Sequence, residues 1–297
     1  MMVSVTRQGF SFSFGSGGTV VAERRLGIPV LAGADHETLF GGLESAGHDR
    51  GFELFASADW LVGVRLEPVL ADLAAQSEAI YTELIAIARA QGRALTRIWN
   101  YVPDINGISA GGLETYRVFC LGRAKAFDRA QWTGALPAAS AVGGAPGMIA
   151  VMFAAARTQP VAKENPEQVP AYEYPADYGP RAPSFSRAMQ VVADGRRWTF
   201  ISGTAAIKGH ASLALGDLPG QIECTLDNLR LISDACGLGD GKSERHFKVY
   251  LRNAGDLAAA KAALDGGLLK DEDQVTWLHA DICRAELLIE IEATILT

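Results

Sequence analysis

Two stretches of this sequence carry residue types suited to acid–base chemistry on an anion. Between Asp177 and Asp194 no carboxylate occurs, yet Arg181 and Arg187 stand there with Tyr178, Ser184 and Ser186 in the string YGPRAPSFSR. A guanidinium grips a carboxylate through two parallel N–H bonds and hydroxyls add neutral donors, so the string reads as a carboxylate-binding loop stiffened by Pro180 and Pro183. Its bland reading is a pair of solvated surface arginines. The second stretch is the last strand, where period-two alternation puts Leu287, Ile289, Ile291, Ala293 and Ile295 on one face and Leu288, Glu290, Glu292 and Thr294 on the other. Facing water, both glutamates are ordinary solvated carboxylates. Lining a pocket, a half-buried glutamate gains pKa by desolvation and can act as a general acid.

Other motifs carry less. GTAAIKGH (203–210) lacks the GxxxxGK[ST] spacing of a phosphate loop, and His210 beside a loop glycine reads as structural before it reads as a catalytic base. No GxSxG elbow is present, which removes the serine-triad hydrolases. Cys120, Cys224, Cys236 and Cys283 are widely spaced without a CxxC pair, which suits neither a zinc site nor a disulfide scaffold and predicts reduced thiols.

The elements that must hold these residues fall in two halves. Residues 1 to 62 read as short strands and turns, with GSGG at 15 to 18 and alternation over 51 to 64. A helix is predicted from Glu67 to Gln91, where Val69, Leu70, Leu73, Ala74, Ile80, Leu84, Ile87 and Ala88 form one stripe, ended by Gly92. ALTRIWNYV reads as a strand, ETYRVFCLGRAKAFDRAQW as a strand or turn leading into a second helix, and 149–156 as a buried strand. From Thr158 to Arg187 six prolines forbid regular structure, and so long a connection in a compact chain raises the prior for a binding loop. The boundary is placed near 157, giving lobes 1–157 and 158–297, the second entered by the proline-rich loop 158–187. That second lobe reads β-α-β-α-β: strand 196–202, helix 221–236 capped by Gly237, strand 246–252, helix 254–264 and strand 284–296. If the first lobe repeats this plan, the halves are duplicated folds. The class is α/β (α+β), mixed sheets packed against helices.

At 297 residues, 48% hydrophobic and 21% charged, the chain has material for a large core and is neither disordered nor fibrous. A formal charge of −7 argues against a nucleic-acid partner. No stretch reaches the roughly 18 apolar residues of a membrane span and no leader pattern opens the chain, so no membrane partner and a cytoplasmic location are expected.

The strings WNYVPDIN (99–106), ETYRVFCLGRAKAF (114–127), AASAVGG (138–144), YEYPADYGPRAPSFSRA (172–188), ISGTAAIKGH (201–210) and ADICRAELLIEIEA (280–293), in this order, resemble the chorismatases. The resemblance implies two RidA/YjgF-like (chorismate mutase-like) lobes, cleavage of chorismate to pyruvate and a ring product, and no metal or organic cofactor. It implies Glu290 as the catalytic acid, Tyr178, Arg181 and Arg187 as holders of substrate carboxylates, and Tyr116 in the pocket wall. It also makes Glu292 the more tolerant of the two glutamates. Cys283, seven residues before Glu290, resembles the members that form 3-hydroxybenzoate by internal attack of the ring hydroxyl. The alternatives are water attack giving a dihydroxycyclohexadiene acid, release of 4-hydroxybenzoate, or a RidA-like imine deaminase or binding protein. RidA-like folds suggest a homotrimer.

Overall fold

The structure, a computed structural model, describes residues 3–6, 9–14, 26–239, 241–265 and 267–297; the expected turn at 15–18 lies outside them. The chain opens with β1 (Val3–Thr6), β2 (Gly9–Ser13), β3 (Val30–Gly33) and β4 (His36–Leu39). It continues through β5 (Glu44–Asp49), β6 (Phe52–Ala56), β7 (Trp60–Pro68), α1 (Leu73–Ala90), β8 (Ala94–Val102), α2 (Thr115–Arg129), β9 (Ala138–Gly143) and β10 (Met148–Ala156). The second half has β11 (Val161–Lys163), β12 (Ala188–Ala193), β13 (Arg196–Thr204), the short pair β14 (Ile207–Lys208) and β15 (Ala211–Ser212), then α3 (Leu218–Ala235), β16 (Glu244–Leu251), α4 (Leu257–Leu264), β17 (Gln274–His279) and β18 (Ile289–Leu296).

The sheet orders show a duplicated plan. The first sheet runs β5-β6-β7-β10-β8-β9 and the second β11-β12-β13-β18-β16-β17-β3. In each, one parallel pair (β8 with β9, β16 with β17) is joined by a crossover helix, α2 or α4, because parallel neighbours cannot be linked by a tight turn. The last strand of each half then inserts at the sheet centre, antiparallel to both neighbours. The second sheet takes its edge strand β3 from the N-terminal segment, so a cut at 157 does not separate the two sheets cleanly.

One face of each sheet carries helices; the other meets the opposite lobe. Ile80, Leu84 and Phe119 pack α1 and α2 on the first sheet, and Ile222, Leu229 and Ile232 pack α3 on the second. Between the sheets lies an aromatic core in which Phe40 stacks on Trp198 at 5.1 Å and Trp60 meets Trp198 edge-on at 5.0 Å. β8, β10 and β18, covered on both faces, are almost wholly buried; β10 is accordingly a continuous apolar run, whereas β8 and β18 carry charged and polar side chains into the interior.

Local signals set the element ends. α1 starts at Leu73, not near Glu67, because Glu67 and Pro68 complete β7 and the Asp72 carboxylate caps Ala75 N at 2.9 Å. Gly92, at φ +61°, closes the turn after it. The string from Thr115 is helical from its first residue, with no strand before it. α2 lies close against α1 because Gly122 leaves room; a Cβ there would stand 2.1 Å from the Ala74 carbonyl oxygen.

Candidate active site

Glu290 lies on β18, on the face opposite to Ile289 and Ile291, which pack toward the helices of the second lobe. The first lobe covers that polar face, so both glutamates are interior and the solvated reading is wrong for each: Glu290 is 3% exposed and Glu292 2%. Beside Glu290 the register of β13 against β18 shifts between Ile201 and Thr204. Gly203 falls in this irregularity, and a Cβ on it would come within 2.0 Å of Glu290 Oε1. The missing side chain is what gives the carboxyl its space.

Glu290 is the common wall of two adjoining cavities. The larger, about 140 Å³, lies between the lobes, with Tyr116 from α2 on one side and Tyr174, Phe185 and Arg187 from the proline-rich connection on the other. Behind it a recess of about 30 Å³ reaches Arg123 of α2 and Ser140 of β9, and shares Tyr116, Phe185, Gly203 and Cys283 with the first.

The two acids of β18 are pushed to opposite protonation states. Burial drives the Glu290 carboxyl up to about 8, the negative charge of Glu292 adds to this, and Arg97 and Arg187 oppose it. Glu290 Oε1 has no hydrogen-bond partner, and Cys283 Sγ stands 4.0 Å from Oε2. For Glu292 burial also disfavours the anion, but Lys248 and Arg97 outweigh it and hold this carboxyl below the usual range. Glu292 accepts from Lys248 Nζ at 2.7 Å, Arg97 Nη2 at 2.8 Å and Trp99 Nε1 at 3.0 Å. A neutral acid next to a fixed anion is the environment of a general acid that works at neutral pH. Glu292, expected to be the tolerant member, is instead a fully satisfied buried ion.

Two guanidiniums face the same space with no carboxylate at ion-pairing distance among the described residues. Arg187, 5% exposed, donates to Tyr174 Oη at 2.6 Å, lies 5.3 Å from the Phe185 ring centroid, and leaves Nε without a partner. Arg123, 1% exposed, has Cys120 Sγ at 3.6 Å and the Phe119 ring at 5.3 Å, again with Nε unpartnered. Two buried, unpaired cations define positions for two anionic groups. At the mouth Arg284 lies 4.1 Å from the Tyr178 centroid and donates to the His210 carbonyl oxygen and Ser212 Oγ at 2.9 and 3.0 Å.

Of the residues expected here, Glu290, Arg187, Tyr116, Tyr178 and Cys283 come together around the cavity. Arg181 does not. It is engaged in a bidentate pair with Asp128, at 2.6 and 3.0 Å, on the far side of the loop, and lines a separate open concavity with Phe127 and Trp132. The carboxylate of Asp128 on α2, remote in sequence, claims the fork that the loop composition left free. Ser186 is likewise structural, its hydroxyl donating to the Leu136 carbonyl oxygen at 2.7 Å. His210 Nδ1 stands 3.2 Å from Tyr178 Oη at the rim. Burial, with Glu290 beside it, raises the Cys283 thiol, which stays protonated and is no nucleophile. No cluster of three or more His, Cys, Asp or Glu suited to a metal occurs among the described residues, and none of their helices is long and apolar enough to cross a membrane.

Sequence reasoning missed Arg123, Arg284, Tyr174 and the Arg97–Glu292–Lys248 group. Arg123 had a signal: it follows Tyr116 by seven residues and Cys120 by three, which sets a charge on the buried stripe of α2. For Arg284 no local pattern distinguishes it from a surface arginine.

The chain is similar to known proteins over most of its length. Residues 41–155 match the family model described as chorismatase FkbO/Hyg5-like, N-terminal. A chorismatase of Streptomyces rapamycinicus is 39% identical over 267 residues, covering 85% of this chain and 79% of the relative. A 3-hydroxybenzoate synthase of Streptomyces hygroscopicus is 40% identical over 214 residues, covering 67% of this chain and 63% of its own length. A chorismatase crystal structure superposes with a TM-score of 0.85 at 33% identity, covering 97% of this chain and 92% of that one.

Proposed function

The chain belongs to the chorismatase family, and we propose that it converts chorismate to pyruvate and 3-hydroxybenzoate with Glu290 as the proton donor. The observation that carries this reading is the neutral, buried Glu290 carboxyl between two unpaired buried guanidiniums, Arg187 and Arg123. Chorismate is a dianion with an enol ether. Each guanidinium takes one carboxylate, and the methylene carbon of the enolpyruvyl group comes to face Glu290. The bound dianion offsets the pull of Arg187 and brings negative charge beside Glu290, so binding of the substrate strengthens the acid's hold on its proton. Proton transfer to the methylene generates an oxocarbenium-like centre, the bond from ring carbon to ether oxygen breaks, and pyruvate departs.

The ring's own 4-hydroxyl displaces the leaving group, giving an epoxide that aromatises to 3-hydroxybenzoate; the proton shed from that hydroxyl balances the one Glu290 supplied. No water is consumed. Support for this outcome over hydrolysis comes from the 3-hydroxybenzoate synthase relative and from Cys283, whose thiol fills the wall next to the acid with a weakly polar group. The cavity is built from both lobes of one chain, so the proposal calls for no partner subunit. The four cysteines are free thiols, which supports the reducing cytoplasm as the location. Incubation with chorismate, with pyruvate read by lactate dehydrogenase and the ring product by chromatography, tests the reading. Pyruvate and 3-hydroxybenzoate in equal amounts are expected; a diene-diol would reassign the second step, and no pyruvate above the spontaneous background would remove the function.

A further inference from the structure

Beyond Glu290 the polar face of β18 runs into a buried ionic cluster that lines neither cavity. Lys248 on β16 stands opposite Glu292 in the strand register, as Tyr250 stands opposite Glu290. The Lys248 ammonium is shared between two carboxylates: Glu292 at 2.7 Å and Glu37 at 2.6 Å. Glu37 comes from β4 in the N-terminal segment, 211 residues away in sequence, and is 5% exposed. Ion groups this deep lose much of their Coulombic gain to desolvation, and apolar side chains of like volume would be at least as stable there. Stability therefore does not explain why a segment outside the two duplicated lobes supplies a carboxylate at this point.

Charge around the acid does explain it. Arg97 from β8 and Arg187 from the loop before β12 pull Glu290 toward ionisation, and Glu292 opposes them. Arg123 on α2 adds a further cation across the recess. The remaining titratable neighbours, Tyr101 on β8, Tyr250 on β16, Tyr116 on α2 and Cys283, are raised by burial and stay uncharged at neutral pH. Without Glu37, more of the charge of Lys248 would act on Glu292 and, two residues further along β18, on Glu290.

We propose that Glu37 is a positioning residue for the proton: by sharing Lys248 with Glu292 it keeps the buried cluster from ionising Glu290, so that the N-terminal segment maintains the acid in its neutral, donating form. The inference rests on the role given to Glu290 above, and it predicts behaviour in the ligand-free protein as well as in turnover. The test is Glu37→Gln. Infrared titration of the ligand-free protein, with the protonated carboxyl band assigned by its loss in Glu290→Gln, reads the acid directly; the pH profile of pyruvate release reads it in catalysis. Both midpoints are expected to fall by about one pH unit, the order of effect of removing one unit charge from a buried cluster at an effective dielectric near 20, with the rate on the acidic side retained. Adding Lys248→Met removes the surplus cation, so Glu37→Gln/Lys248→Met is expected to bring both midpoints back to the wild-type pH, and it reports even where the single variant folds poorly. An unmoved midpoint in folded Glu37→Gln, or a double variant that does not return, overturns the proposal. A shifted infrared midpoint in a protein that releases no pyruvate would support it while removing the chorismate reading.

Discussion

Arg123→Met is expected to make the protein more stable and a worse enzyme. The guanidinium is 1% exposed, its Nε has no hydrogen-bond partner, and its polar neighbours are the Cys120 thiol at 3.6 Å and the neutral Tyr81 phenol, so the folded chain keeps a desolvated charge with no carboxylate paired to it among the described residues. Methionine fills a similar volume without the charge and suits the Phe119 and Tyr81 rings that now flank the guanidinium. Replacing buried ionic groups by apolar ones of like size gains about 1–4 kcal/mol, and for a chain of this length each kcal/mol raises Tm by roughly 2–4 °C. The same change removes one charge-assisted contact to a substrate carboxylate, about 1.5–3 kcal/mol, so KM for chorismate should rise about 10- to 150-fold. Thermal melts without ligand and steady-state pyruvate kinetics measure the two effects. A variant with unchanged KM would refute the assignment of the recess to a substrate carboxylate; a loss of stability with unchanged KM would make Arg123 a structural residue.

Arg181→Ala should lower stability by no more than about 1 kcal/mol and leave KM nearly unchanged, since Arg181 makes a surface ion pair with Asp128 away from the cavity; kinetics and a denaturation curve of the variant check both. Gly122→Ala should destabilise by about 1–3 kcal/mol, because the added methyl meets the Ala74 backbone oxygen where α1 and α2 touch, read as a lower urea midpoint. Glu290 in the folded chain keeps its proton up to about pH 8, whereas the unfolded chain releases it near the ordinary carboxylate value. The folded state therefore binds the extra proton between those values, stability falls as pH rises through that window, and Glu290→Gln should flatten the slope in denaturation curves taken across it.

Much of the second lobe was legible because its strands and helices follow clean periodicities and are punctuated by Gly and Pro. The central strands resisted, since β8 and β18 are covered on both faces and alternation then no longer says which side is wet. That is why the sequence leaves Glu292 open between a solvated and a pocket-lining carboxylate: the pattern of β18 marks a polar face, but only the packing of the first lobe on the second shows that this face is interior. Arg97 in ALTRIWNYV and Lys248 in HFKVYLR carried the same clue, a charge in mid-strand among apolar neighbours, and paired with Glu292 across 195 and 44 positions that no local window connects. Arg181 and Arg187 look equivalent in YGPRAPSFSR; what separates them is that one lies within reach of Asp128 and the other turns beneath Tyr174.

The most direct measurement is turnover of chorismate by Glu290→Gln beside the unaltered protein, with ligand binding followed by calorimetry in the same preparations. An amide keeps the shape of the carboxyl and cannot donate its proton to carbon, so the rate of pyruvate release should fall by at least about 10²-fold while affinity changes little. Pyruvate release at the unaltered rate from a folded Glu290→Gln protein would contradict the assignment of this carboxyl as the acid.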